Sequence, residues 1–270
     1  MYTDLLGQQF VHNALMAGAV VGLVSGAIGF FVVTRGASFA VHAMSELGFT
    51  GAAGALWLGL SPVVGLVGGS LITGLALGLL SLRGRERDSA IGSVLAFGLG
   101  VGVLFLSLYQ GYATEATNLL FGSVVAVSRP QLAGLAAVSL LVMAGIAACY
   151  RPLLFSSVDP DVAEARGVPL RALSVITYLL LALTTAEAVQ VVGVLLVLTL
   201  VITPAAAAQR LAVNPATSIV LAMLIAVAAT EGGILISLEW GPSSFWISAL
   251  SFAVYLAARA AGWGRLRMPA

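Results

Sequence analysis

The chain has no lysine, one cysteine and two histidines, and only 9% of its 270 residues are charged. Each scarcity excludes something. All twelve basic residues are arginine, so no Walker A loop can set its lysine on nucleotide phosphates. If ATP drives this chain, another subunit hydrolyses it. Soluble domains carry roughly 25% charged residues. A deficit of this size, with 60% hydrophobic residues and a mean hydropathy of +1.07, describes a polytopic membrane protein. A formal net charge of +1 excludes a nucleic-acid surface as the organising feature. Cys149 has no second cysteine to pair with and sits in an apolar run, which predicts a buried, inert thiol. No Lys or Arg precedes Arg35, and the first apolar segment is too long for a signal-peptide core, so it is expected to remain as a first span.

What the chain does have is long apolar runs. A span needs about 20 mostly apolar residues at roughly 1.5 Å each. Candidates are Phe10–Val33, Ala37–Leu60, Val63–Leu82, Ala90–Tyr109, Leu132–Tyr150, Leu173–Val189, Val191–Gln209, Ala216–Leu238 and Phe245–Ala261. The expected fold is therefore an all-α polytopic membrane protein of eight or nine transmembrane helices, with residues 1–270 as a single transmembrane domain. Thr114–Val127 is too short to cross and reads as a re-entrant or interfacial helix. With nine spans, Arg35, Arg83, Arg85, Arg87, Arg151, Arg166, Arg171, Arg210, Arg259, Arg265 and Arg267 fall on one side, and only Arg129 on the other. The positive-inside rule makes the first side cytoplasmic, with the N-terminus outside. The longest cytoplasmic connection is then Arg151–Arg171. Within it Asp159 suits an N-cap, Pro160 the first helical position and Gly167 the residue past the end, which predicts a short helix over Pro160–Arg166.

Few residues could carry chemistry inside the membrane. His42 and Glu46 are one helical turn apart in the second candidate span, so they share a face. From Arg35 at the boundary, Glu46 lies about 16 Å deep in a core roughly 30 Å thick, and His42 about 10 Å deep. An intramembrane ionisable residue marks a substrate or ion pathway by default. Imidazole with carboxylate narrows that to a divalent metal or a proton, and suits zinc, manganese or ferrous iron over a soft ion. A His–Glu hydrogen bond that only fixes helix contacts is the plainer alternative. Two ligands do not complete a coordination shell, but two copies across a two-fold axis would supply four. Ser38 precedes His42 and Phe49 follows Glu46 on the same stripe. Glu187 and Glu231 are further buried acids that would serve as a third ligand, a gate, or acids satisfied by a neighbouring helix. His12, Asp4, Glu115 and Glu239 fall near or beyond the outer surface. Pro204 removes one backbone hydrogen bond and frees the Leu200 carbonyl, so its helix is expected to kink.

Taken together, these segments resemble the permease subunit of the zinc/manganese/iron class of ABC importers. The likeness runs through Asn13–Phe39, Asp88–Gly92, Leu119–Leu132, Asp159–Val168 and Val192–Leu211, nearly the whole chain. It implies that the short cytoplasmic helix, through Asp159, Pro160, Glu164, Ala165 and Gly167, docks into an ATP-binding subunit and couples it to the membrane helices. It also implies a homodimer with two ATPase subunits, fed by an extracytoplasmic metal-binding protein, in the cell membrane. The chain would then be a multi-pass permease and no enzyme, with the metal as transported substrate, zinc or manganese, and no cofactor bound permanently. Family members commonly carry Asp and then His, four apart, on the second span; here His42 precedes Glu46. WGPSS (Trp240–Ser244) also departs from the family's usual acid-containing turn. A proton-coupled secondary transporter is the alternative reading. An intramembrane enzyme would show a cluster such as HExxH, and HAMSE is not one.

Overall fold

The computed structural model describes residues 8–80, 87–109, 120, 122 and 127–265, and among them finds ten helices and no strand. These are α1 (Gln9–Thr34), α2 (Ser38–Trp57), α3 (Pro62–Leu80), α4 (Arg87–Leu108), α5 (Arg129–Val158), α6 (Pro160–Ala165), α7 (Leu170–Val192), α8 (Val197–Leu211), α9 (Pro215–Ser237) and α10 (Ser243–Arg265). Six of them, α1, α3, α5, α7, α9 and α10, are long and apolar enough to cross a membrane. Helices are the expected element because lipid offers no hydrogen bonds to a bare backbone.

Of these six, α1 and α7 are the most enclosed, each with 72% of its most apolar window buried. Around α1 pack α5, α7, α8 and α9, while α3 joins α7 to α2, and α4 lies against α2. Lipid gives apolar side chains no reason to leave it, so close backbone approach has to do more of the work. Gly26 on α1 shows how: a Cβ there would come within 2.6 Å of the Ala222 carbonyl on α9. One contact higher, the Thr230 hydroxyl donates to the Gly18 carbonyl at 3.0 Å. The α2–α3 pair is as tight, since a Cβ on Gly51 or on Gly65 would collide with the other's carbonyl.

Several boundaries differ from the sequence reading. The fifth helix is 30 residues long rather than ending at Tyr150, and carries Pro152 inside it. Its start is extended by the Ser128 cap, which accepts from the Gln131 amide. Past Pro152 the Ser156 and Ser157 hydroxyls both donate back to the Leu153 carbonyl. The long connection Arg151–Arg171 accordingly shrinks to α6 and its flanking residues. The seventh candidate span starts at Val197 instead of Val191, because Gly193 at φ 87° ends α7 and turns the chain. Cys149 is half-buried on α5, not enclosed. Of Thr114–Val127 only Leu120, Gly122 and Val127 are described, so the interfacial helix expected there lies outside the described residues, as do Asp4, Arg83, Arg85, Glu115 and Arg267.

Candidate functional site

The central pair sits on α2, whose other faces are occupied. Ser70 of α3 donates to the Met44 carbonyl at 3.1 Å, and the Thr50 hydroxyl donates to Gly98 of α4 at 2.7 Å. Phe49, which follows Glu46 on the same stripe, is buried and lies beside Gly102 of α4. The stripe left over is Ser38, His42 and Glu46, all half-buried. Nε2 of His42 lies 3.1 Å from Oε1 of Glu46, with side chains 39% and 17% exposed. The Phe39 ring flanks the imidazole at 6.1 Å. Glu46 is eight residues into the helix, about 12 Å along an axis of about 30 Å, close to its middle.

The two other candidate acids are not brought to this pair. Among the described residues no third His, Cys, Asp or Glu completes a group able to hold a metal. Glu187 on α7 is only 3% exposed. Its Oε2 accepts a 2.9 Å hydrogen bond from Ser139 of α5, while Oε1 has no partner among the described residues. It borders a cavity of about 180 Å³ with Gln131 and Gln190, whose amides bond to each other at 3.1 Å. Glu231 is half-buried on α9, and His12 and Glu239 are exposed. Pro204 is buried inside α8, which runs through it from Val197 to Leu211.

The short helix forms as its caps dictate. Asp159 accepts from the Val162 amide at 3.0 Å, Pro160 takes the first position, and the helix closes at Ala165 with Arg166 as its cap. Gly167, at φ 83°, completes the end: its amide reaches the Glu164 carbonyl at 2.9 Å and the Val168 amide the Ala163 carbonyl at 3.0 Å. This paired closure needs a left-handed residue. Ala163 faces inward, and Asp159, Pro160, Glu164, Ala165 and Gly167 are exposed. So are Val158 and Val162 (75% and 44%), an apolar edge beside the acids.

One contact had no local signal in the sequence. Arg35, at the end of α1, donates through Nε to Ser157 (2.8 Å) and through Nη2 to Ser156 (2.5 Å) and the Leu153 carbonyl (3.3 Å). Burial draws its pKa below the ordinary arginine value and nearby Tyr178 opposes that shift, but a guanidinium stays charged.

The chain also matches known proteins along most of its length. The model of the ABC 3 transport family matches residues 7–261. The manganese transport system membrane protein MntC of Halalkalibacterium halodurans is 34% identical over 244 residues, covering 90% of this chain and 84% of that one. The high-affinity zinc uptake system membrane protein ZnuB of Haemophilus influenzae is 28% identical, covering 92% and 97%. Among solved structures, PsaBC from Streptococcus pneumoniae in complex with Fab superposes with a TM-score of 0.86 at 27% identity, covering 95% of this chain and 94% of that one.

Proposed function

The chain belongs to the ABC 3 transport family, and we propose from that premise how it works. It is a multi-pass membrane protein, the permease subunit of an ATP-binding-cassette importer for a divalent transition metal, manganese or zinc. The family implies an ATP-binding subunit and a substrate-binding protein as partners. The metal is cargo, and the chain itself makes or breaks no covalent bond.

The observation that carries the mechanism is the His42–Glu46 pair, half-exposed near the middle of α2 and completed by nothing else in the described chain. Two copies of the permease facing each other across α2 would bring together two imidazoles and two carboxylates. That set holds a borderline or hard divalent ion. A site with two ligands from each copy would admit the ion and let it go again, which conduction requires. Exposure of the pair in one chain supports such a dimer, as does the small number of ligands. Ser38, a turn below His42, would meet the ion on its way to the cytoplasm. Glu187 and Glu231 stay outside this site. The protein would cross the cell membrane nine times, through the six long apolar helices and through α2, α4 and α8. Length supports α2 and α4, at 20 and 22 residues, and the His, Glu and glycines of α2 lower its hydropathy; α8, at 15 residues, is apolar but shorter.

On the cytoplasmic side, α6 with Asp159, Pro160, Glu164, Ala165 and Gly167 would dock into the ATP-binding subunit, one copy per permease. Its capped ends and exposed Val158–Val162 edge support this. Uptake of Mn²⁺ into vesicles tests the reading. It should require ATP and the partner ATPase, and uptake driven by an ion gradient alone would favour a secondary transporter instead.

A further inference from the structure

We propose that Arg35 is the positioning residue that carries movement of α6 to the metal-bearing helix α2, an inference that rests on the importer reading above. Asp159 is at once the C-cap of α5 and the N-cap of α6, so a shift of the docked helix is a shift of the last turn of α5. That turn is what Arg35 grips. Its three acceptors are Ser156, Ser157 and the Leu153 carbonyl. Both serine hydroxyls donate back to Leu153 at 3.1 and 2.6 Å, so their lone pairs are fixed and turned to the guanidinium.

The other end of the strut is equally short. Arg35 caps α1. Gly36, at φ 63°, and Ala37 close that helix on the Val33 and Val32 carbonyls. Ser38 then opens α2, with His42 one turn on. A cavity of about 340 Å³ lies here, bordered by Arg35, Ser156 and Pro160 on one side and Thr177 and Tyr178 of α7 on the other. The guanidinium thus spans a loosely filled region, where packing alone would transmit little. Its planar fork reaches two hydroxyls and a carbonyl together, which a lysine ammonium on a flexible stem would not reproduce.

The test is the number of Mn²⁺ ions transported per ATP hydrolysed by the complete complex, permease, ATPase and binding protein, in proteoliposomes. Arg35→Met should lower that ratio about tenfold, within the range of ordinary coupling free energies, with hydrolysis continuing. Arg35→Lys should lower it about threefold, since charge remains and the fork is lost. A purely architectural role would reduce transport and hydrolysis together and leave the ratio at the wild-type value, which would overturn the proposal. If Arg35→Met does not assemble, the double variant Ser156→Ala/Ser157→Ala decides. It keeps the arginine and removes two acceptors, so an unchanged ratio would again overturn the strut. Wild-type complex without ATP-dependent uptake would overturn the importer reading itself, and the strut with it.

Discussion

Glu46 and Glu187 are the same residue in two apolar helices of one chain, and the fold holds them in opposite ways. Glu187 is enclosed and bonded across a helix boundary to Ser139. Glu46 is partly exposed and paired to His42 on its own helix. The first bond ties α5 to α7 and so belongs to the architecture. The second ties nothing to anything, because both partners ride on α2. Yet an ionisable side chain at that depth is costly wherever it sits. On the metal-site reading proposed above, a pair that carries the cost without fastening two helices has its use in what reaches it from outside the chain.

That contrast is best attacked at its strong end. Glu46→Gln keeps size and hydrogen bonding but removes a ligand charge. Metal uptake should fall by about a hundredfold or more, beyond the 10–100-fold lost with supporting groups around a metal, while permease and ATPase still co-purify. Wild-type uptake by this variant would break the comparison. An intermediate effect is expected where the pair is left untouched but idle. Gly167→Val forces a β-branched residue into φ 83°, at about 1–2 kcal/mol or more. The end of α6 should open, and uptake per ATP should fall about tenfold; unchanged coupling would move the docking segment elsewhere. The smallest effect belongs to Glu187→Gln. A glutamine still accepts from Ser139, so only about 1 kcal/mol is at stake. Uptake should stay within about threefold of wild type, with a small drop in melting temperature. Loss as large as that of Glu46→Gln would erase the distinction and make Glu187 part of the pathway.

How much of this could be read from the sequence depends on distance along the chain. The caps of α6 were legible because Asp159, Pro160 and Gly167 act on backbone groups within a few residues. The His42–Glu46 pair was legible for the same reason, as i and i+4 on one helix. The extent of α5 was not. The helix continues through Pro152, and its last turn meets Arg35, 121 residues away from Ser156. Nor was the fate of Glu187 legible, since its partner is 48 residues distant. Membrane helices that are apolar on every side give no periodic clue to which face is inward. Phe49 shares the stripe of His42 and Glu46 by spacing, and only the fold shows it buried against α4. The outline of spans came from composition, and the joints between helices came only from the fold.

The central claim is that His42 and Glu46, doubled across two copies, form the metal site. Manganese bound to the nucleotide-free permease–ATPase complex without its binding protein, counted by electron paramagnetic resonance at saturating Mn²⁺, tests it most directly. The account predicts about one ion for each pair of permease chains, as four ligands from two copies require, kept in Glu187→Gln and lost in Glu46→Gln. The same count of bound ions in Glu46→Gln as in wild type would contradict it.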